Sequence, residues 1–300
     1  MFTIALAGNP NSGKTSIFNA LTGSTQYVGN WPGVTVEKKE GYLKGHKSHL
    51  VVDLPGIYSL SPYSLEEIVT RDYLLDDKPN IILNIVDSTN LERNLYLTTQ
   101  LMETGVPVII ALNMIDVLEK RGESINIAKL SHELGVPVIA TSAQTGAGLK
   151  DLVKTILQKN IAPAAPRIAT FSPQVEQAVT SIGQLLDTHI EDTKRQPTPG
   201  KVHALYNQDT RRWFSIKLFE RDSHTHERLD LPATIKETMD RIIATCEQNM
   251  DDISESLVTN DRYEYIVATL KTCQFNKVHS AKFTLSDRID LVVTNRFAAL

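Results

Sequence analysis

Residues 8–16 read GNPNSGKTS, directly behind the apolar run FTIALA and ahead of the helical spacing of Lys14–Leu21. Gly8 to Thr15 matches G-x-x-x-x-G-K-[ST] in the strand-to-helix context that gives this pattern its meaning. The chemistry is anion recognition. Glycines let the main chain wrap closely around an oxyanion, successive amides and a helix N-terminus point at its oxygens, and a lysine adds a point charge. The match assigns Gly8, Asn9, Pro10, Asn11, Ser12, Gly13, Lys14, Thr15 and Ser16 to a nucleotide's phosphates, with Lys14 near the β- and γ-phosphates and the Thr15 hydroxyl offered to magnesium. A glycine turn carrying a surface lysine is the alternative, and the flanking strand and helix argue against it.

Three further stretches extend the set. Asn113–Met114–Ile115–Asp116 follows a buried apolar run and resembles the guanine-selective N-[KT]-x-D element of GTPases. In that element the aspartate accepts from the ring N–H and exocyclic amine of guanine, donors that adenine does not present, so a buried carboxylate discriminates the bases. Met114 departs from the usual lysine, and Asp116 taken alone could equally be a helix N-cap. Thr141–Ser142–Ala143 resembles the matching element whose backbone amide meets the guanine carbonyl, which adds Ser142 and Ala143 to the nucleotide-binding set. Asp53–Leu54–Pro55–Gly56 follows HLVV, where Asp53 could reach magnesium through water and the Gly56 amide could bond a γ-phosphate. It could also be a strand end with a Pro-Gly turn. Between these lies GNWPGVT, in which Thr35 is the candidate switch threonine for magnesium and γ-phosphate, or simply the first threonine of a strand. Where many GTPases carry a water-orienting glutamine after D-x-x-G, this chain has Ile57, which cannot hydrogen-bond a water. No arginine stands in the phosphate loop or the proposed switch to act as a finger in cis.

These residues need a scaffold, and the first half supplies the pattern of one. FTIALA, HLVVDL, NIILNIVD, PVIIALN and PVIATS are nearly continuous apolar runs, as strands buried on both faces require. Helical spacing at Lys14–Leu21, Leu65–Leu75, Leu91–Glu103, Ile127–Leu134 and Leu149–Gln158 alternates with them, which predicts a mostly parallel α/β sheet. Val34–Leu43 alternates instead and turns at Lys44–Lys47, predicting a hairpin at the sheet edge. The expected fold class is α/β, a P-loop GTPase fold with an edge hairpin over residues 1–160, followed by a small all-helical domain. IAPAAPR marks a linker over 161–171, and beyond it the strands vanish and helical spacing takes over. The helices are expected at Val175–Thr188, Gln208–Arg221, Ala233–Asn249, Ile253–Gln274 and Leu285–Phe297, the helical domain running from 172 to 275.

Composition narrows the partners. Of 300 residues, 31 are basic and 35 acidic, a net charge of −4, so no global positive field exists to attract nucleic acid. Two cysteines far apart, Cys246 and Cys273, give neither a metal spacing nor a disulfide framework, which fits a reducing cytosolic setting. No run is long enough for a membrane span.

GNPNSGKT, GNWPGVTVEKKEG, DLPGIYSL with its aliphatic residue at 57, and NMID together resemble the ferrous iron transport protein B family, FeoB, in its cytosolic N-terminal part. The resemblance rests on specific motifs in the first half and on position, length and character in the second. It implies a GTP-hydrolysing module on the cytoplasmic face of the inner membrane, binding GTP or GDP, Mg2+ and K+, with Lys14, Thr35, Gly56 and Asn11 as the catalytic set; a soluble GTPase of ribosome or RNA assembly and a nucleotide-state switch without catalysis are the alternatives. It implies magnesium on Thr15, Thr35 and Asp53, and potassium on Asn11 with switch carbonyls around Gly29 and Trp31. It also implies a helical domain that slows GDP release, and a transmembrane portion of the same transporter as partner, reached through a connector helix at 276–300. A homo-oligomer is left open.

Four features invite a simpler reading. His224 and His226 are expected in a polar loop, without a third ligand nearby and solvated. Trp213 and Phe214 are expected to anchor the helical core, and Glu66 and Glu67 to serve a helix dipole. Glu37, Lys38, Lys39 and Glu40 are expected on an exposed strand edge, where charge discourages edge pairing.

Overall fold

The computed structural model describes residues 1–23, 26–61, 63–158, 170–193 and 205–275. Its sheet has seven strands in the order β2-β3-β4-β1-β5-β6-β8. The strands are β1 (Phe2–Gly8), β2 (Gln26–Asn30), β3 (Glu37–Leu43), β4 (His46–Asp53), β5 (Ile81–Asp87), β6 (Val108–Asn113) and β8 (Val138–Ala140). From β4 through β8 neighbours run parallel, while β2, β3 and β4 form an antiparallel meander. All functional loops of the parallel part therefore leave the same carboxyl edge.

Both faces of the central strands are covered, which is why they read as unbroken apolar runs. On one face Ile4, Leu6, Leu83 and Ile85 pack against Ile17, Phe18 and Leu21 of α1 (Lys14–Thr22) and Leu152 and Ile156 of α6 (Leu149–Ile156). On the other, Ala5, Ile82, Val86 and Ile110 meet Leu95, Leu97 and Leu101 of α3 (Leu91–Glu103) and Leu130 and Leu134 of α5 (Ile127–Leu134). Two short elements lie between β6 and α5: α4 (Ile115–Lys120) and β7 (Ser124–Ile125).

The second half forms its own core. α7 (Pro173–Thr193), α8 (Arg211–Phe219), α9 (Ser223–Leu229), α10 (Ala233–Met250) and α11 (Ser254–Cys273) gather Val175, Ile182, Trp213, Phe214, Ile243 and Val258. Trp213 and Phe214 meet edge to face at 4.9 Å in its centre, the anchoring role their sequence context suggested.

This core is not self-contained. Leu75 enters it from α2 (Leu65–Asp76), and in the other direction Ile266 and Leu270 of α11 enter the core on the α3 face of the sheet. Two buried ion pairs cross the same boundary. Arg262 of α11 forks onto Glu103 of α3 at 2.6 and 2.8 Å, with both side chains 1% exposed or less. Arg71 of α2 meets Asp222 at 2.8 Å, also buried.

Several expectations require correction. The charged segment Glu37–Glu40 is not a sheet edge, because Gln26–Asn30 adds an unforeseen strand outside it. His224 and His226 lie on the helix α9, capped by the Asp222 side chain, rather than in a loop. His224 Nε2 sits 3.2 Å from Asp72 Oδ1. Nor do strands vanish after the linker, since β9 (Gln274–Phe275) pairs antiparallel with β7. These strands are too short to leave a periodic trace. Residues 161–169, the expected connector 276–300 and its helix Leu285–Phe297 lie outside the described residues.

Arg262→Ala leaves Glu103 charged, buried and unpaired, so unfolding free energy in a denaturant titration falls by about 3–5 kcal/mol. Replacing both partners by methionine recovers most of that loss, because the desolvation cost goes with the charges.

Candidate functional site

The site begins where β1 stops. Its last residue, Gly8, lies so close to β5 that a Cβ would meet the Ile85 carbonyl oxygen at 2.6 Å. From there the loop turns through Asn11 (φ 66°) and Gly13 (φ 87°), both left-handed, into α1. At Gly13 a Cβ would stand 2.2 Å from Asn113 Nδ2, so glycine is required both by conformation and by the approach of β6.

That approach is the centre of the arrangement. Asn113, 2% exposed at the end of β6, donates from Nδ2 to the Ser12 carbonyl at 3.0 Å and accepts at Oδ1 from the Ala143 amide at 3.0 Å. One side chain thus ties the phosphate loop to the loop after β8. Met114 follows in the left-handed region (φ 63°) and turns the chain sharply into α4, placing Asp116 in its first turn. The Ser142 hydroxyl holds the Asp116 carboxyl below the usual carboxylate range. Asp116 Oδ2 has no hydrogen-bond partner, although Lys120 Nζ lies 3.7 Å away. The motifs place Asn113 and Ala143 at the nucleotide, and in this structure the two also bond each other.

On the other side of the loop, Lys14 pairs with Asp53 at the end of β4, both largely buried. Burial pushes the Asp53 carboxyl up, and the Lys14 ammonium only partly offsets this. Thr15, Val36, Glu37, Lys39, Leu54 and Pro55 join these two around a cleft of about 250 Å³. Lys39, opposite Asp53 in the β3–β4 register, belongs to this cleft rather than to an outer edge.

The segment after Asp53 is held to the loop by main chain. Leu54 N–H donates to the Leu6 carbonyl at 3.0 Å and Ile57 N–H to the Gly8 carbonyl at 3.2 Å. Gly56 stands over Pro10, where a Cβ would come within 3.4 Å of its backbone. Ile57 is buried at 2% exposure, so its side chain faces no solvent water. Further on, the Leu60 amide donates to Gln100 Oε1 at 2.6 Å. Gln100 was not foreseen, although a glutamine on the apolar stripe of α3 is a readable anomaly. At the start of α2, Ser64 and Glu67 form a capping box, so Glu67 serves the helix end as expected, while Glu66 stays exposed.

The proposed switch lies in the β2–β3 connection. Thr35 is exposed just before Val36. Trp31 is buried, edge-on to Tyr73 at 5.2 Å with Lys38 Nζ 4.8 Å from its ring centroid. Its carbonyl accepts from Val34 N–H at 3.2 Å, and Gly29 is paired with Lys38 in the ladder. Both residues are thus engaged by the main chain of the β2–β3 connection. Asn9 Nδ2 and Ser12 Oγ, both in the loop, are buried without a partner. Among the described residues no cluster of three or more His, Cys, Asp or Glu could hold a metal ion.

A glycine-rich loop between β1 and α1, a carboxylate after the neighbouring parallel strand and a second at the N-x-x-D turn, all on one sheet edge, define a P-loop GTPase domain. A family model described as ferrous iron transport protein B matches residues 2–156, and one for the FeoB cytosolic helical domain matches residues 171–274. The chain belongs to the ferrous iron transport protein B family. It is 39% identical over 306 residues to the Fe(2+) transport protein A/Fe(2+) transporter FeoB fusion protein of Porphyromonas gingivalis, covering 98% of this chain and 34% of that protein. It is 36% identical over 303 residues to the Fe(2+) transporter FeoB of Escherichia coli K12, covering 99% and 36% respectively. The chain thus spans about a third of the length of the curated relatives it matches. Among solved structures, an S. thermophilus NFeoB mutant bound to GDP superposes with a TM-score of 0.83 at 46% identity, over 92% of this chain and all of that one. NFeoB from S. thermophilus bound to GDP, AlF4− and K+ gives a TM-score of 0.78 at 47% identity, over 90% of this chain and all of that one.

Asn113→Ala leaves the Ser12 carbonyl and the Ala143 amide without partners. It is expected to cost about 2–4 kcal/mol in thermal or denaturant unfolding. Guanine nucleotide affinity by titration calorimetry falls with it, since two loops lose their common support.

Proposed function

We propose that this chain is the GTP-binding and GTP-hydrolysing regulatory module of a ferrous iron transporter, working at the cytoplasmic face of the inner membrane beside that transporter's transmembrane portion. Residues 1–160 act as the GTPase domain, 161–171 as linker, 172–275 as the helical domain and 276–300 as the connector toward the membrane. The observation that carries the reading is the junction at Asn113, which fixes a phosphate-binding loop and the Asp116 turn as one unit. Among the described residues no helix is long and apolar enough to cross a membrane.

In this reading loop amides from Asn9 to Ser16 hold the phosphates, and Lys14 leaves Asp53 for the β- and γ-phosphate oxygens. Asp53, through water, and the hydroxyls of Thr15 and Thr35 would hold magnesium, a hard cation that suits this all-oxygen donor set. When bound it neutralises charge on the phosphates. The Lys14–Asp53 pair supports the fit, because each partner keeps its buried counter-charge if cation and phosphate arrive together. Gly56 N–H and Thr35 bond the γ-phosphate, and a water attacks its phosphorus in line with the departing β-phosphate oxygen. Asp116 accepts from guanine.

With Ile57 unable to orient that water, Asn11 is assigned to potassium, whose charge would take the place of an arginine finger. Asn11 is exposed, at a left-handed turn of the loop, as a ligand reaching out of the loop requires. The helical domain tunes GDP release through α2, which starts beyond the Asp53–Gly56 segment and ends in the helical core at Leu75, with Arg71 on Asp222.

Asp116→Asn is expected to weaken GTP by about a hundredfold or more and to raise affinity for xanthine nucleotides. Calorimetry with both nucleotides checks this, and unchanged GTP affinity overturns the base assignment. Phosphate release measured in potassium and in sodium chloride should differ for the native chain by about tenfold or more and hardly at all for Asn11→Ala. Equal rates in the native chain would remove potassium from the mechanism.

A further inference from the structure

The outermost strand β2 is the one sheet edge that the sequence did not reveal, and it lacks the usual protection. It reads Gln26–Tyr27–Val28–Gly29–Asn30, with no charge and no proline, whereas Glu37, Lys38, Lys39 and Glu40 stand one strand further in on β3. Tyr27 and Val28 are 62% and 63% exposed. An uncharged edge that exposes two apolar side chains is a template for another strand.

The register identifies which strand fits. Trp31 N–H donates to the Val36 carbonyl in the ladder that pairs Asn30 with Glu37. Since hydrogen-bonding direction alternates along an antiparallel strand, residues 27, 29 and 31 turn their amides and carbonyls toward β3. Gln26, Val28 and Asn30 turn theirs outward. This outward set is symmetric about Val28.

We propose that β2 is a self-pairing interface, at which a second copy of this chain adds its own β2 antiparallel around a two-fold axis at Val28. Val28 then lies opposite its counterpart, Gln26 opposite the other copy's Asn30, and Tyr27 opposite the other copy's Gly29. The three outward residues of each copy exchange about six ladder hydrogen bonds, with no main-chain donor facing another donor. The Tyr–Gly pairs fall at non-hydrogen-bonded sites, where side chains approach most closely and an aromatic ring covers a glycine. The two valines meet on the opposite face, flanked by amide pairs, and no like charges are brought together. Each strand is its own complement, as an isologous contact demands.

Five residues on each side bury less than the roughly 800 Å² per partner of a standard interface, so the isolated chain should dimerise weakly. Disulfide trapping suits such a contact. The two native cysteines are both buried, and therefore do not compete. In a Val28→Cys variant the two cysteines sit at a hydrogen-bonded pair with Cα atoms about 5.5 Å apart, within disulfide reach. In Tyr27→Cys, equally exposed, the two-residue offset sets them more than about 7 Å apart, beyond that reach. Under mild oxidation Val28→Cys is expected to give at least about fivefold more disulfide-linked dimer than Tyr27→Cys, and equal yields overturn the proposal. Sedimentation velocity of the native chain at about 0.1–1 mM should show reversible dimer that Val28→Lys abolishes, with circular dichroism unchanged. A native chain that stays monomeric across that range, or a Val28→Lys chain that dimerises equally, also overturns it.

Discussion

The buried amide of Asn113 is the interaction on which the site depends. Parallel strands bring their carboxyl ends to one edge, but that alone leaves three loops side by side without a fixed spacing. Asn113 supplies the spacing by satisfying a carbonyl of the phosphate loop and an amide of the β8 loop with one rigid side chain. Its approach also explains why Gly13 must lack a side chain, since the two residues occupy the same space. The phosphate-loop backbone and the loop after β8 are consequently coupled through one side chain.

A second economy lies in the Lys14–Asp53 pair. Each charge is too deeply placed to stand alone, and the raised pKa of Asp53 shows that Lys14 does not fully offset its burial. The pair is therefore a buried contact in which each charge depends on the other. In the proposed function a phosphate and a divalent cation replace the two partners, so that neither charge is left bare. The main-chain bonds of Leu54 and Ile57 to β1 and Gly8 keep the exchange local, because the segment after Asp53 is already anchored.

The helical half is joined to this site by contacts that resist sliding. α2 and α11 each take part in the core of the opposite half, and the buried pairs Arg71–Asp222 and Arg262–Glu103 demand matched geometry across the boundary. Buried ion pairs contribute little net stability compared with apolar replacements, but a displaced partner is costly. Such a boundary fixes α2 and α11 against the opposite half.

Much of this was legible in the chain itself. The phosphate loop, the two aspartates and the parallel strands are encoded locally, by glycine spacing and by unbroken apolar runs whose meaning does not depend on distant residues. Helices such as Leu91–Glu103 and Ile127–Leu134 announce themselves through the period of their apolar residues. What the fold alone decided are relations between segments far apart in sequence. Gln26–Asn30 is too short and too polar to read as a strand, and becomes one only because β3 offers it a ladder. That pairing converts the charged segment Glu37–Glu40 from an apparent edge into an inner strand and brings Lys39 to the cleft. Asn113 could be named as part of a motif, yet its partners within the protein, Ser12 and Ala143, lie 101 and 30 residues away. A sequence states which groups a chain owns, whereas hydrogen bonds and ion pairs need those groups within about 3–4 Å, a condition only the folded backbone can meet.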